Sequence, residues 1–323
     1  MAELLTPRQR FIKALNREPL TGRVPTFELV FFLTMEALGV PHHSQRIFRG
    51  WDQMSKEEQK AQIRSIADMY VKTAEKYEHS AIFVHESPMG AIPILEQIRE
   101  MSGDKYFLML HGDATYDVPD GEHMLDFTYR LVDAPDEMKQ EAYDNIQRKL
   151  ESYHEAFHNR PELIDGAALC SDYCLNANPF LSPNQFSEFV APYLAQLIQG
   201  YRDMGIYTIK HSDGNIMPIL DQIVQCNPHA LHSLDPQGGV SLAEVKKLYG
   251  DKVALCGNVN CGLLQTGTDE EVIADVRRSL REGMAGGPGY IFCTSNCVYT
   301  GMPLRRYEMM NEIWKKEGNY PAE

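Results

Sequence analysis

The segment Tyr207-Thr-Ile-Lys-His-Ser-Asp-Gly214 contains the pattern on which the fold prediction rests. Aromatic and β-branched residues alternate up to His211, and apolar residues follow Gly214 at helical spacing. This pattern predicts a buried strand that ends in a turn and leads into a helix. Because side chains two residues apart on an extended backbone point to the same side, we expect His211 and Asp213 to lie together at the carboxyl end of the strand.

Two later segments end a predicted strand with cysteine instead. Cys256 closes the apolar run that begins at position 252, and Cys293 and Cys297 follow the run that begins at position 289. In a barrel of parallel strands, the carboxyl ends of all strands meet on one face, where such folds carry their active sites. The sequence therefore predicts that these residues converge on the site of His211 and Asp213.

The rest of the chain alternates between strand-like and helix-like patterns. Helices are predicted over 55–77, 91–101, 136–158 and from Ser182 to Met204, and 111–121 is predicted to be a loop. The region 89–135 has the least regular pattern. About eight continuous apolar strands favour a closed (β/α)8 TIM barrel of class α/β, with a helical N-terminal extension over 1–22 and a single domain over 1–323. These strands are predicted near positions 24, 81, 106, 164, 206, 229, 253 and 289.

Composition excludes several classes of protein. The formal net charge of −14 disfavours a nucleic-acid binder, which needs a basic surface. The sequence has neither the apolar core of a signal peptide nor an apolar run long enough to cross a bilayer, so we expect a cytoplasmic protein without a membrane partner. Seven cysteines in such a chain are expected to be free or bound to metal rather than paired in disulfides.

The predicted convergence suggests a catalytic zinc site. Zinc binds thiolate, imidazole and carboxylate groups, and a catalytic site keeps one coordination position open. Asp213 or His211, together with Cys256 and Cys297, would supply three ligands. Cys297 is favoured over Cys293 because it lies in a polar loop, where packing does not account for a thiol. The alternative is that the cysteines are small buried apolar residues and that His211 and Asp213 stabilise a turn.

Further polar and aromatic residues lie at the predicted strand ends. Asp172 is a candidate for an acid, a base or a substrate ligand, beside the alternative of a loop cap. A larger set is predicted to form the wall of the substrate and cofactor pocket: Glu86, His111, Tyr173, Asn258 and Tyr299. His232 and Asp235 are more simply explained as turn residues.

Several motifs resemble the uroporphyrinogen decarboxylase-like superfamily of barrels, which includes the corrinoid-dependent methyltransferases. The resemblance extends over essentially the whole chain and is densest after Asp165. The motifs are Leu181-Ser-Pro183 with Phe186, Ile209 to Gly214, Tyr249 to Asn258, Thr266 to Val272 and Gly289-Tyr-Ile291.

Comparison with each branch of the superfamily indicates which branch this chain resembles most. The decarboxylases proper have an arginine motif that binds propionates, whereas this chain has the apolar stretch Pro25 to Phe32. Zinc methyltransferases of coenzyme M have His-x-Cys where this chain has His211-Ser-Asp213. The methyltransferase components of bacterial O-demethylases, with a carboxylate and two separated cysteines on zinc, are more similar. This resemblance implies Asp213, Cys256 and Cys297 as zinc ligands, with His211 and Cys293 as alternates.

The resemblance also implies a reaction and partners. It implies zinc-dependent transfer of a methyl group from a small-molecule donor, an aromatic methyl ether, to the Co(I) corrinoid (cobalamin) of a separate carrier protein, with Asp172, His211 and Asp213 in the catalytic site. Relatives suggest a homodimer. The reverse direction of transfer stays open. So do a metal-independent decarboxylase or lyase that uses Asp172 or Asp213, and a non-enzymatic tetrapyrrole- or corrinoid-binding protein.

Overall fold

The computed structural model describes residues 5–46 and 50–320. Its strands, numbered along the chain, are β1 (Gly22–Arg23), β2 (Ala81–Val84), β3 (Phe107–His111), β4 (Gly166–Leu169), β5 (Cys174–Leu175), β6 (Asn178–Pro179), β7 (Tyr207–His211), β8 (Ala230–His232), β9 (Ala254–Val259), β10 (Tyr290–Thr294) and β11 (Asn319–Tyr320).

Helices connect the strands and cover the sheet. The α-helices are α1 (Pro7–Leu15), α2 (Thr34–Leu38), α3 (Lys56–Tyr77), α4 (Ile92–Ser102), α5 (Met124–Asp133), α6 (Pro135–Phe157), α7 (Pro183–Phe189), α8 (Ala191–Asp203), α9 (Leu220–Gln225), α10 (Leu242–Tyr249), α11 (Cys261–Thr266), α12 (Asp269–Met284) and α13 (Leu304–Glu317). Short 3₁₀ turns lie at His43–Gln45, Trp51–Gln53, Pro161–Leu163 and Met217–Ile219. No helix among the described residues has the length and apolar character needed to cross a membrane.

Seven parallel strands form one curled sheet in the order β10, β9, β8, β7, β4, β3, β2. The segment after β1 bonds to both ends of this sheet. The carbonyl of Pro25 accepts from the amide of Phe292 at 2.9 Å, and that of Thr26 accepts from the amide of Ser80 at 2.6 Å. The predicted TIM-barrel-like α/β fold is confirmed.

The first predicted strand is shorter than expected. Thr26 forms one isolated bridge to Phe292, and only Gly22–Arg23 is a regular strand, paired with β11 at the edge of the barrel. Pro25 has no amide proton and therefore cannot donate to a ladder, which limits regular pairing here. The segment nevertheless fills the eighth position through its carbonyl groups.

The N-terminal extension packs against the amino ends of the barrel strands. Thr6 caps α1 through a capping box with Gln9. Phe11 is fully buried, with its ring centroid 5.3 Å from that of Phe27 and 4.8 Å from that of Phe107. Arg8 adds an ion pair to the buried Asp165. Helix α1 thus covers one end of the barrel, and residues 1–4 of the predicted N-terminal extension lie outside the described residues.

Two helical regions differ from the sequence prediction. The irregular region 89–135 contains an additional helix, α5, on which Leu125, Tyr129 and Val132 are exposed. The predicted helix from Ser182 to Met204 is divided at Val190 into α7 and α8. Pro192 explains the division, because proline cannot donate the backbone hydrogen bond that would continue α7.

A carboxyl group is buried between the barrel wall and the surrounding helices. Glu28 is only 5% exposed, and its Oε2 accepts hydrogen bonds from the amide and the hydroxyl of Thr294. Burial raises the pKa of Glu28 to about 8, although the hydrogen bonds from Thr294 act in the opposite direction. Folded protein therefore keeps the Glu28 proton at pH values where an unfolded chain has released it.

We expect Glu28→Gln to change the pH dependence of stability. Between pH 5 and 8, the wild type should lose stability relative to the variant as the pH rises, by at most about 1.4 kcal/mol per pH unit, because the unfolded chain then binds fewer protons than the folded chain. Urea denaturation at pH 5, 6, 7 and 8 measures this difference. Glu36→Gln, at an exposed position on α2, is the control for the charge change. If the free energies of unfolding of the wild type and Glu28→Gln changed equally between pH 5 and 8, the raised pKa of Glu28 would be contradicted.

Candidate metal centre at the carboxyl ends of the strands

Three side chains come together where β4 and β7 end. They are Asp172, His211 and Asp213, and their ligand atoms all lie within 4.8 Å of one another. Nε2 of His211 lies 3.7 Å from Oδ1 of Asp172 and 3.6 Å from Oδ1 of Asp213. Within residues 5–46 and 50–320, no other group of three or more His, Cys, Asp or Glu side chains meets this criterion.

Asp213 is held by residues from three other strand ends. Its amide donates to Oδ1 of Asp172 at 2.8 Å, and the hydroxyl of Ser233 donates to its own Oδ1 at 2.9 Å. The side-chain amide of Asn296 donates to Oδ2. The segments after β8 and β10 thus fix the carboxylate of Asp213, and Asp172 after β4 fixes its backbone.

His211 is oriented by a second buried histidine. Nδ1 of His211 and Nδ1 of His232 are 2.8 Å apart, so one of them donates to the other. Burial, together with the nearby His211, lowers the pKa of His232 well below its usual value, and His232 is therefore neutral. When Nδ1 of His211 is the donor, Nε2 of His211 presents its lone pair to the two carboxylates. Histidines that bind metals are commonly oriented by such a hydrogen bond from the other ring nitrogen.

Negative charge is concentrated around the three residues. The pKa of Asp213 is raised, first by burial and also by Asp172 and Asp235, although His211 opposes the shift. Burial and Asp172 also raise the pKa of Asp117. A bound cation would stabilise these carboxylates in their charged form.

A buried ion pair lies beneath this site. Nζ of Lys210 is 2.9 Å from Oδ2 of Asp113, and the two side chains are 1% and 0% exposed. Lys210 also donates to the carbonyls of Leu169 at 3.2 Å and Ser171 at 2.8 Å. Because Leu169 ends β4 and Ser171 precedes Asp172, the ammonium group holds the backbone that carries one member of the site.

Asp113 completes the same network. Its Oδ1 accepts from the amides of Ala114 and Thr115, and its Oδ2 accepts from the amide of Ser171 at 3.0 Å. Burial alone would raise the pKa of Asp113, but Lys210 and these hydrogen bonds outweigh burial and hold the pKa well below its usual range. Sequence analysis did not identify this pair. A charged residue inside a predicted buried strand was the available indication, because a buried charge needs a partner.

The cysteines are placed differently from the carboxylates and His211. Cys256 and Cys293 are fully buried within β9 and β10, and burial raises both pKa values. Burial raises the pKa of Cys297 to about 12, and the charges of Asp213 and Asp172 contribute to that shift, so Cys297 lies nearer the site. The structure does not assemble Asp213, Cys256 and Cys297 into one group, which remains a prediction from the resemblance.

The other predicted pocket residues lie either near the barrel rim or inside the barrel wall. His111 ends β3 and Glu86 follows the neighbouring strand β2, so both lie at the barrel rim. Burial lowers the pKa of His111, while the charges of Asp113 and Glu86 act in the opposite direction. Burial raises the pKa of Tyr299, with contributions from Cys261, Cys297 and Asp213. Asn258 is fully buried, with its side chain bonded to the carbonyl of Leu234 at 2.6 Å and to Arg278 of α12 at 3.0 Å. The side chain of Asn258 therefore connects β9 to α12 and to the segment that follows β8.

An aromatic pocket lies directly beside Asp172. Tyr173 is buried there, with the ammonium of Lys210 at 4.0 Å from its ring centroid and its hydroxyl 2.8 Å from Oγ1 of Thr115. The pocket wall is formed by side chains from the loops after β3 and β4 and from α7: Tyr116, Asp117, Val118, Asp172, Tyr173, Phe180, Leu181, Phe186 and Val190. The space that these side chains leave has a volume of about 10 Å³, close to that of a single water molecule.

Known proteins resemble this chain in sequence over part of its length. Residues 163–317 match the model of the uroporphyrinogen decarboxylase (URO-D) family. The resemblance to the uroporphyrinogen decarboxylase-like superfamily is confirmed. The URO-D segment carries all three residues of the candidate centre and Lys210, but not Asp113. No curated protein sequence matches the chain significantly.

Solved structures extend the similarity to the whole fold. A methyltransferase from Methanosarcina mazei is 18% identical and superposes with a TM-score of 0.69, covering 97% of this chain and 99% of the methyltransferase. A xylose isomerase domain protein from Alicyclobacillus acidocaldarius is 13% identical over 77% of this chain and 91% of its own, with a TM-score of 0.43. A 3-keto-D-glucoside 4-epimerase from E. coli is 11% identical and has a TM-score of 0.45. The match covers 79% of this chain and 94% of the epimerase. At 18% identity, the first of these establishes a shared fold.

We expect Lys210→Met to destabilise the protein by about 3–5 kcal/mol, because it leaves the buried Asp113 carboxylate without its cation. The double variant Lys210→Met/Asp113→Asn should recover part of this loss, since it removes both charges. Urea denaturation at pH 7 measures the free energy of unfolding, with Lys247→Met on the exposed face of α10 as control. Equal destabilisation of the single and double variants would argue against the ion pair.

Proposed function

We propose that this protein is a zinc-dependent methyltransferase that moves a methyl group from a small-molecule methyl ether to the Co(I) corrinoid of a separate carrier protein. The observation that carries the proposal is the grouping of Asp172, His211 and Asp213 at the carboxyl ends of the barrel strands. The URO-D family match and the fold shared with a methyltransferase support it.

The residues present fit a zinc ion. Two carboxylates and one imidazole are ligand types that zinc accepts, and three protein ligands leave a coordination position for substrate. Nε2 of His211 faces both carboxylates, while its Nδ1 is occupied by His232. Burial, together with the charges of Asp172 and Asp235, raises the pKa of Asp213, and a bound cation would act in the opposite direction. Zinc bound there would act as a Lewis acid towards the ether oxygen of the methyl donor.

The geometry favours a ligand set different from the one implied by the resemblance. Asp172, His211 and Asp213 are already grouped, whereas Cys256 is fully buried in β9. Cys297 is a candidate for a further ligand because Asp213 and Asp172 act on its pKa. Two carboxylates and a neutral imidazole carry two negative charges, one fewer than two thiolates and a carboxylate. The centre would therefore be more electrophilic than a cysteine-rich one.

The protein's own residues bind and orient the reactants. Ser233 and Asn296 hold the carboxylate of Asp213, and Lys210 holds the loop of Asp172, so little reorganisation is needed when substrate binds. The corrinoid of the carrier is the methyl acceptor, so the mechanism requires no serine or cysteine nucleophile from this chain.

A metal-independent lyase is the second candidate. The raised pKa of Asp213 favours it, because a carboxyl group that keeps its proton to higher pH remains available there as a general acid. The carrier protein, the identity of the methyl donor, the direction of transfer and a homodimeric state remain predictions.

Metal content distinguishes these possibilities. We expect about one zinc per chain in the purified wild type, and loss of zinc in Asp172→Ala, His211→Ala and Asp213→Ala, because each removes a donor from the group. Cys256→Ala should retain zinc, whereas loss of zinc in that variant would support the ligand set implied by the resemblance. Elemental mass spectrometry measures zinc, and circular dichroism controls for folding. A wild type that neither contains nor takes up zinc would contradict the metal-dependent proposal.

Methyl transfer is the direct test of activity. With Co(I) corrinoid and a panel of methoxylated aromatics, the wild type should produce methyl-Co(III) corrinoid and the corresponding phenol. His211→Ala should slow the reaction by more than about a hundredfold, since loss of a residue outside the metal ligands already costs roughly 10–100-fold. Absorbance of the corrinoid measures the rate. Decarboxylation by zinc-free protein, without methyl transfer, would favour the lyase.

A further inference from the structure

The loop after β10 carries one of the groups that hold the candidate metal centre. We call residues 295–298 the β10 loop. The amide of Ser295 donates to the carbonyl of Val259 at 2.8 Å, and the amide of Val298 donates to the carbonyl of Val30 at 2.9 Å. Backbone hydrogen bonds to β9 and to the N-terminal segment therefore fix both ends of the loop.

Asn296, in the middle of the β10 loop, has a fixed side-chain orientation. Its Oδ1 accepts from the amide of Cys297 at 2.5 Å, so its Nδ2 is the group that donates to Oδ2 of Asp213. Ser233 donates to the other oxygen of the same carboxylate. The direction in which Asp213 faces His211 thus depends on where the backbone of Asn296 lies.

The backbone of Asn296 is held by Thr294, the last residue of β10. The hydroxyl of Thr294 donates to the carbonyl oxygen of Asn296 at 2.6 Å. The same hydroxyl lies 2.5 Å from Oε2 of Glu28, and Thr294 and Glu28 are only 0% and 5% exposed. Since bulk solvent does not reach this pair, both contacts have to be satisfied within the protein.

The single proton of the Thr294 hydroxyl determines which state of Glu28 fits this geometry. A hydroxyl has one proton to donate, and a carbonyl oxygen can only accept. Both contacts are hydrogen bonds at the same time only when Oε2 of Glu28 carries its proton and donates to Thr294, the reverse of the direction adopted with an ionised carboxylate. Burial raises the pKa of Glu28 to about 8, which agrees with a protonated carboxyl group at neutral pH.

We propose that Glu28 and Thr294 are positioning residues for the proposed metal centre. Their hydrogen-bonded chain holds the carbonyl of Asn296, and Asn296 in turn holds the carboxylate of Asp213 where it can bind metal. Both residues act through Asn296 rather than by contact with metal or substrate. The inference rests on the proposed function, because Asp213 acts here as a metal ligand.

Zinc affinity is the first readout, with Zn²⁺ alone as the probe and a chromogenic chelator as competitor. Thr294→Val removes the hydroxyl at nearly constant shape and should weaken zinc binding by about tenfold, the lower end of the range for residues that orient metal ligands. Thr294→Ser keeps the hydroxyl and should bind zinc like the wild type. The comparison of these two variants isolates the hydroxyl from the packing of β10.

Hydrogen–deuterium exchange of zinc-free protein is the second readout and does not depend on metal. In Thr294→Val, the amides of the β10 loop should exchange about fivefold faster than in Thr294→Ser, the factor that the loss of one ordinary hydrogen bond predicts. Peptides from β7 and α12 should keep their exchange rates, because a loop can open locally without global unfolding.

A second pair of variants carries the test if Thr294→Val fails to fold. Glu28→Leu removes the hydrogen bond to Thr294 and should increase exchange in the β10 loop. Glu28→Gln is neutral and can still donate from its amide group, so its loop should exchange more slowly than that of Glu28→Leu.

Equal exchange of the β10 loop in Thr294→Val and Thr294→Ser, or equal zinc affinity of these two variants, would overturn the positioning role. Faster exchange throughout Thr294→Val would overturn it as well, because it would indicate a general structural role. A wild type that binds no zinc would contradict the proposed function, and the exchange comparison would still decide whether Glu28 and Thr294 hold the loop.

Discussion

The buried ion pair between Lys210 and Asp113 determines the position of much of the carboxyl end of this barrel. Its ammonium group donates to Asp113 and to two backbone carbonyls, so all three of its protons are used. Those carbonyls belong to Leu169 and Ser171, on either side of the end of β4. Because two charges with 1% and 0% exposure are costly to bury unless they are fully hydrogen-bonded, this loop has little freedom to move. Asp172 projects from it towards His211.

The two ends of the barrel differ in their local charge, because the charged side chains are paired differently at each end. At the carboxyl end, Asp172, Asp213 and Asp235 are brought close while the nearby lysine is already committed to Asp113. At the amino end, Arg10 donates to the backbone carbonyls of Thr21 and Arg23. The arrangement at the carboxyl end suits a cation. Burial increases this effect, because it weakens the screening that water would provide.

Sequence patterns predicted the candidate centre better at some positions than at others. Asp172, His211 and Asp213 each follow a continuous apolar strand, and parallel strands necessarily bring their carboxyl ends together. Cys256 follows a similar pattern, yet it is enclosed within β9, because an apolar run buried on both faces does not reveal which side chains reach the barrel mouth. Lys210 was overlooked for a related reason. Its partner, Asp113, is 97 positions away in the sequence, and only folding brings the two side chains together.

The sequence by itself determined the class of fold, the strand ends at which chemistry is expected and the resemblance to uroporphyrinogen decarboxylase-like proteins. These properties follow from local periodicity and short motifs, which survive without knowledge of distant contacts. Only the tertiary structure decided that Asp172 joins His211 and Asp213, that Cys256 lies outside this group, and that Lys210 pairs with Asp113. Each of these depends on packing between segments far apart in the chain, where distance and burial, not residue type, determine which groups interact.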